Sequence, residues 1–146
     1  MPLLQLSFAS GEDSLSVGRF TVTEAMSSLF DVSVWAMSPS EDIDLDSIVG
    51  KPAVFKINRG LKSGASDRAT RRFAGICSYM EQVAAEPTGA STYFLRIVPA
   101  MWLLTQRRNH RVFQHLSAPQ IVKRLLKEWS IEARWKIEAD RYPKLE

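Results

Sequence analysis

Six short runs of alternating apolar and polar residues lie in the first hundred positions, and they restrict the possible folds more than any other feature. In the first run, Leu4, Leu6 and Phe8 alternate with polar neighbours. Apolar side chains at every second position share one face of a strand, so each run predicts a half-buried β-strand. The predicted strands are residues 4–8, 16–23, 29–37, 53–58, 73–83 and 92–98. Turn-forming residues separate them, which favours a small antiparallel barrel or sandwich.

Two glycines carry structural predictions within this region. Gly75 interrupts the fifth run, which indicates a bulge or a close approach of another backbone segment. Gly50 follows residues 45–49, a segment that is typical of a short helical turn closed by glycine.

The pattern changes after Pro99. Residues 101–104 are apolar but too few for a full helix, and residues 107–111 form a basic connector. Ser117 and Gln120 have the spacing of a capping box, which predicts a helix over residues 118–129. An apolar face is expected on this helix, formed by Ile121, Val122, Leu125, Leu126 and Trp129.

Residues 131–138 have the cleanest strand pattern in the chain, since four apolar side chains alternate with charged ones. We therefore predict a mainly β fold of the β-rich α+β class. Its first domain, residues 1–99, is an antiparallel barrel. Residues 100–146 are predicted to form a junction, the capped helix and the first strand of a following, truncated barrel-like domain.

Composition limits the kind of protein. The chain has 146 residues, of which 45% are hydrophobic and 24% charged, as in ordinary globular domains. It contains no apolar stretch long enough to span a membrane and no signal-peptide pattern at its start, so synthesis in the cytoplasm is expected. Cys77 is the single cysteine, which excludes an internal disulfide.

The charge distribution is strongly asymmetric. Residues 1–50 have a net charge of −7, whereas residues 51–146 have a net charge of +10. Such a division is typical of a basic surface for nucleic acid or membrane, and equally of an acidic edge that meets a basic edge, within one fold or between subunits. Composition alone does not choose between them.

No residue pattern predicts catalysis, a cofactor or a metal site. His110 and His115 are flanked by arginines and lack nearby carboxylate or thiolate partners. Cys77 lies within a predicted strand, where a buried thiol is the favoured interpretation. The acidic loop of residues 41–46 lacks the glycine and the closing glutamate of a calcium loop. We therefore predict a protein that is not an enzyme.

One function that a small barrel could serve is the binding of single-stranded nucleic acid. A basic loop precedes the fifth strand, and its five bases are Arg59, Lys62, Arg68, Arg71 and Arg72. Phe73, Tyr79 and Tyr93 are the aromatic residues that would stack on bases. Their inward or alternating strand positions favour core packing instead, so we expect no nucleic-acid partner.

Several motifs recur in a fixed order along the whole chain. The longest reads Arg96-x-x-Pro99-x-x-Trp102-Leu103-Leu104-Thr105-x-Arg107, followed by Arg111-x-Phe113-x-x-Leu116-Ser117-x-Pro119-x-Ile121-Val122. The others are Leu29-Phe30-Asp31-Val32, the segment from Asp44 to Gly50 with Lys51-Pro52-Ala53, Arg72-Phe73-Ala74-Gly75-Ile76, and Asp140-Arg141-Tyr142-Pro143. In this order and spacing the chain resembles the VgrG family of type VI secretion spike proteins.

That resemblance implies a structural component similar to the baseplate hub of contractile phage tails. Family members form a homotrimer with two barrel-like domains per subunit. The domains of the three subunits form a ring, which sits on a tube of Hcp hexamers. The implied partners are the Hcp tube, baseplate proteins and secreted effectors, and the implied route out of the cell is the type VI machinery. This sequence matches only the first part of the family pattern, without the second barrel or the C-terminal needle that contacts the target membrane.

The resemblance and the charge asymmetry together suggest where such an assembly makes contact. An acidic loop and a basic connector are the candidate surfaces between subunits or towards the tube. Their residues are Glu41, Asp42, Asp44 and Asp46 in the loop, and Arg107, Arg108 and Arg111 in the connector.

Overall fold

A computed structural model describes residues 3–58, 70–85 and 89–145. The chain forms two compact units, Met1–Pro99 and Ala100–Glu146.

The first unit is a six-stranded antiparallel sheet. Its strands are β1 (Leu4–Phe8), β2 (Ser16–Thr23), β3 (Asp31–Ser38), β4 (Pro52–Asn58), β5 (Thr70–Ala85) and β6 (Ser91–Val98). The spatial order is β1-β4-β5-β6-β3-β2. The sheet curls into a half-barrel in which the edge strands β1 and β2 approach each other. The predicted antiparallel, mainly β fold is therefore confirmed.

The core lies on the concave side of this sheet because the strands alternate as their sequences predict. Val32, Val34 and Ala36 of β3 are fully buried, and Leu95 and Ile97 of β6 pack beside them. Each buried valine, leucine or isoleucine side chain stabilises the fold by about 1.5–3 kcal/mol relative to an exposed position.

Gly75 lies where two backbones approach closely. A Cβ atom at this position would lie 1.9 Å from the carbonyl oxygen of Val98, at the end of the neighbouring strand β6. Only a residue without a side chain fits such a separation, and the predicted close backbone approach is confirmed. The pairing register shifts shortly after this point, between Cys77 and Tyr79.

Two strands begin more than one residue away from the predicted position. Strand β3 begins at Asp31 rather than at position 29, and β5 begins at Thr70 rather than at position 73. Arg71 and Arg72 therefore lie in a strand, where they pair with Ile57 and Lys56 of β4. Their polarity favours a loop, but β4 supplies backbone partners regardless of side-chain charge.

The second unit contains one α-helix, α1 (Ala118–Glu128), among its described residues. A 3₁₀ helix, Ala100–Gln106, precedes it, and a two-residue ladder joins β7 (Leu116–Ser117) to β8 (Lys144–Leu145). The side-chain Oε1 of Gln120 accepts the Ser117 N–H at 2.8 Å, as in a capping box. The predicted helix start is confirmed, and its apolar face is confirmed except at Val122, which is exposed.

The strand predicted over residues 131–138 is wrong. These residues form no strand, and the nearby ladder of the second unit uses β7 and β8 instead. Alternation gives a segment one apolar face, but a strand also needs a neighbouring backbone to receive its hydrogen bonds. Among the described residues of this unit, no partner strand lies along the segment.

Candidate interaction surfaces

The acidic loop presents its carboxylates to solvent because the intervening apolar residues hold it against the core. Ile43 and Ile48 are buried, and Leu45 packs beside them. All four candidate side chains are exposed: Glu41, Asp42, Asp44 and Asp46. None of them forms an ion pair with another described residue of the first unit.

Hydrogen bonds fix both ends of this acidic loop. The hydroxyl of Tyr93, a fully buried residue of β6, donates to the carbonyl oxygen of Ser40 at 3.0 Å. At the other end, Asp44 Oδ1 accepts the Asp46 N–H at 3.1 Å and caps the short 3₁₀ helix Leu45–Ser47. The loop is therefore a defined acidic surface, and Asp44 has a structural role in addition to its charge.

The basic connector lies in the second unit. Arg107 and Arg108 are exposed and pair with no described carboxylate of that unit. Arg111 differs, because its Nη1 donates to Oε1 of Glu128 on α1 at 2.5 Å. This hydrogen bond holds the pKa of the Glu128 carboxyl below its ordinary value, and the positive charges of Arg107 and Arg124 lower it further. Both partners are exposed, so the pair contributes little stability.

The structure thus places the seven predicted residues in two separate sets. The acidic set lies within Met1–Pro99, and the basic set lies within Ala100–Glu146. Two of the seven, Asp44 and Arg111, already make specific contacts inside their own units.

A row of aromatic side chains on the convex face of the sheet, half-buried at Trp35 and Phe94 and exposed at Tyr79, escaped the sequence prediction. The ring of Trp35 on β3 lies 4.8 Å from that of Phe94 on β6, which in turn lies 6.1 Å from Tyr79 on β5. The Arg19 guanidinium of β2 lies over the Trp35 ring at 3.9 Å. Met37, on the same face of β3, is 49% exposed.

The aromatic residues considered for base stacking do not form a binding surface. Phe73 and Tyr93 are buried in the core, and only Tyr79 is exposed. Arg71 forms an ion pair with Glu24, and the remaining bases of the proposed loop at positions 59–69 lie outside the described residues. Stacking by Phe73 or Tyr93 would require unfolding of the sheet.

The described residues contain no group of three or more histidine, cysteine or acidic side chains placed to hold a metal ion. Cys77 is fully buried, and its thiol donates to the Tyr79 carbonyl oxygen at 3.3 Å. Burial raises the pKa of this thiol to about 11. The predicted buried thiol is therefore confirmed.

Thiol labelling tests this environment. The thiolate is the reactive form, so a pKa of about 11 leaves only a trace of it at pH 7 and access is blocked as well. We expect a thiol-specific disulfide reagent to label Cys77 at least about 100-fold more slowly in the folded protein than in denaturant. Equal rates in both states would contradict the buried position.

No helix among the described residues has the length and apolar character to cross a bilayer.

The fold has a counterpart among solved structures. A solved protein of E. coli, described as a type VI secretion component with structural similarity to the T4 phage tail proteins gp27 and gp5, aligns with a TM-score of 0.74. The alignment covers 97% of this chain and 37% of that one, at 22% identity. The architecture is therefore that of a phage-tail hub protein.

The sequence supports the same class. The profile of the phage tail baseplate hub family (GPD) matches residues 23–146, and the chain belongs to this family. Similar proteins include three type VI secretion spike proteins of Pseudomonas aeruginosa. VgrG1b is 27% identical over 86% of the chain, VgrG1a is 30% identical over 86%, and VgrG4b is 29% identical over 97%. The predicted resemblance is confirmed.

The chain is much shorter than these relatives. It spans 16% of VgrG1b, 18% of VgrG1a and 16% of VgrG4b.

Proposed function

We propose that this chain is the N-terminal hub region of a type VI secretion spike that trimerises, sits on the Hcp tube and serves effector delivery. The observation that carries the proposal is the hub-family match over residues 23–146, which includes most of the first unit and all of the second. Export by the type VI machinery belongs to the same proposal. In this role the residues build and position a scaffold.

Two uncompensated charged surfaces support assembly between copies. The carboxylates of the acidic loop and the guanidinium groups of Arg107 and Arg108 form no ion pair with a described residue of their own units. Opposite charges on one chain attract a second copy in a defined orientation, and like charges oppose other orientations. We assign the contact between subunits to the acidic loop of one copy and the basic connector of the next.

Charge reversal tests this contact. Arg107→Glu with Arg108→Glu in the full-length protein is expected to weaken self-association about tenfold or more, because two attractions become repulsions. Arg111 is left intact, since its reversal would place two carboxylates together at Glu128. The measurement is molar mass by multi-angle light scattering over a concentration series.

A matched control and a rescue make the result specific. Lys123→Glu with Lys127→Glu changes the charge equally on the exposed side of α1 and is expected to leave the mass unchanged. Adding Glu41→Arg and Asp42→Arg to the connector variant is expected to restore association. An unchanged mass in the connector variant, or a failed rescue, would argue against this contact.

A further inference from the structure

The second unit contains a cavity of about 290 Å³ beside the basic connector. Its apolar walls are Leu104 of the 3₁₀ helix, Phe113 after the connector, Leu125 of α1 and Trp129 directly after α1. Its polar lining comes from Arg107, Asn109, Arg111 and Glu128. Apolar walls with a few convergent polar groups are the usual composition of a ligand site.

The polar lining favours an anion. Arg111 is occupied by Glu128, whereas Arg107 influences Glu128 only through its charge and forms no ion pair with a described residue of this unit. Arg124, whose guanidinium lies 6.0 Å from the Phe113 ring centroid, adds a further positive charge beside the walls. Positive charges therefore outnumber the single carboxylate of the lining. The Arg107 guanidinium, which has no ion-pair partner among the described residues of this unit, remains able to bind the carboxylate of a ligand.

The size and the walls restrict the ligand further. A volume of about 290 Å³ lies at the lower end of the range for small-molecule pockets, so it fits about one residue-sized group. A bare phosphate would leave the four apolar side chains uncovered. The acidic loop of another copy fits poorly too, because its neighbouring Ile43 is buried in the core of its own unit.

We propose that this cavity binds a carboxylate carried by a small apolar group. A polypeptide C-terminus that ends in leucine or phenylalanine has this chemistry, and so does a free branched aliphatic acid. The apolar group contacts Trp129 and Leu125, the carboxylate accepts hydrogen bonds from Arg107, and the Asn109 amide lies at the polar side. This site shares Arg107 with the proposed contact between copies, but its occupant is a small acid or a chain end and not the acidic loop.

Titration of the ¹⁵N-labelled protein with three probes tests the site, with the Trp129 indole resonance as the readout. N-acetyl-leucine represents a peptide C-terminus, 4-methylpentanoate represents a free acid, and N-acetyl-leucinamide lacks the carboxylate. We expect N-acetyl-leucine to bind with a dissociation constant of about 1 mM, since ligands of this size gain limited affinity. We expect the amide to bind at least about fivefold more weakly.

Comparison of the two acids identifies the source of the carboxylate. Equal binding of both acids supports a site for any carboxylate carried by a small apolar group. Binding of N-acetyl-leucine alone identifies the ligand as a peptide C-terminus. Equal affinity of N-acetyl-leucine and its amide, or no shift of the Trp129 indole with any probe, would overturn the proposal.

Variants locate the charge that is responsible. Arg107→Gln is expected to weaken acid binding about fivefold, whereas Arg108→Gln, which lies outside the lining, serves as the control and changes it less than about twofold. Glu128→Gln is expected to strengthen binding, because it removes the opposing carboxylate and releases Arg111. The amide spectrum of each variant reports whether it is folded. Equal behaviour of the Arg107 and Arg108 variants would exclude Arg107 as the carboxylate ligand.

Discussion

Gly75→Ala is expected to lower the free energy of unfolding of the first unit by about 3 kcal/mol or more. The added Cβ would lie 1.9 Å from the Val98 carbonyl oxygen and 2.7 Å from the Val98 carbonyl carbon. Both are backbone atoms of a paired strand, so no side-chain rotation relieves the clash, and β5 and β6 must separate locally. For a unit of this size the melting temperature is expected to fall by about 15 °C.

Thermal unfolding followed by far-ultraviolet circular dichroism measures this change, with the Trp35 indole resonance as a specific probe of the first unit. Gly18→Ala is the matched control on β2, because the nearest atom to its added Cβ is the Trp35 carbonyl oxygen at an ordinary 3.7 Å. We expect that control to change stability by less than about 1 kcal/mol. Similar losses in both variants would show that backbone proximity at Gly75 is not the cause.

The sequence predicts the strands of the first unit well because their pattern and their environment agree. A half-buried strand needs apolar side chains on one face only, and β1, β2 and β6 satisfy this requirement almost residue by residue. The boundary of β5 fails for a physical reason. Arg71 and Arg72 look like loop residues, but pairing with β4 depends on backbone groups that every residue carries.

Residues 131–138 show the opposite case. Their alternation of Ile131, Ala133, Trp135 and Ile137 with charged residues is regular, yet no ladder forms there. Strand formation is a property of two segments, and the sequence of one segment cannot specify its partner. The expectation that a second barrel-like domain begins here stays a prediction.

In the candidate surfaces too, features set by neighbouring residues in the sequence were predictable, and contacts between distant residues were not. The exposed acidic loop was predictable, since runs of carboxylates seldom become buried. The contact of Arg111 with Glu128 joins residues 17 positions apart, and the cavity beside it depends on this contact and on the placement of α1. The aromatic row was missed because Trp35 and Phe94 become neighbours only through the register of β3 with β6.

Phe55→Ala is expected to lower the free energy of unfolding of the first unit by about 4 kcal/mol. Phe55 is completely buried on β4, and its ring lies 5.1 Å from that of Phe20 and 6.5 Å from that of Phe73. Truncation removes the apolar transfer energy, leaves a cavity and removes both ring contacts. Phe73 pairs with Phe55 on the neighbouring strand β5, whereas Phe20 lies on the edge strand β2, so the cavity would lie where the sheet curls back on itself.

Chemical denaturation provides the measurement, and a graded series separates the cavity from the loss of the rings. Phe55→Leu retains much of the volume and is expected to cost about 1–1.5 kcal/mol. Val83→Ala on β5 is the control, since Val83 is 54% exposed and its truncation is expected to change stability by less than about 0.5 kcal/mol. The loss of stability is expected to decrease from Phe55→Ala to Phe55→Leu to Val83→Ala, because Phe55 is buried at the centre of the half-barrel and Val83 is exposed. A Phe55→Ala loss no larger than that of Val83→Ala would mean that the sheet does not close around this ring.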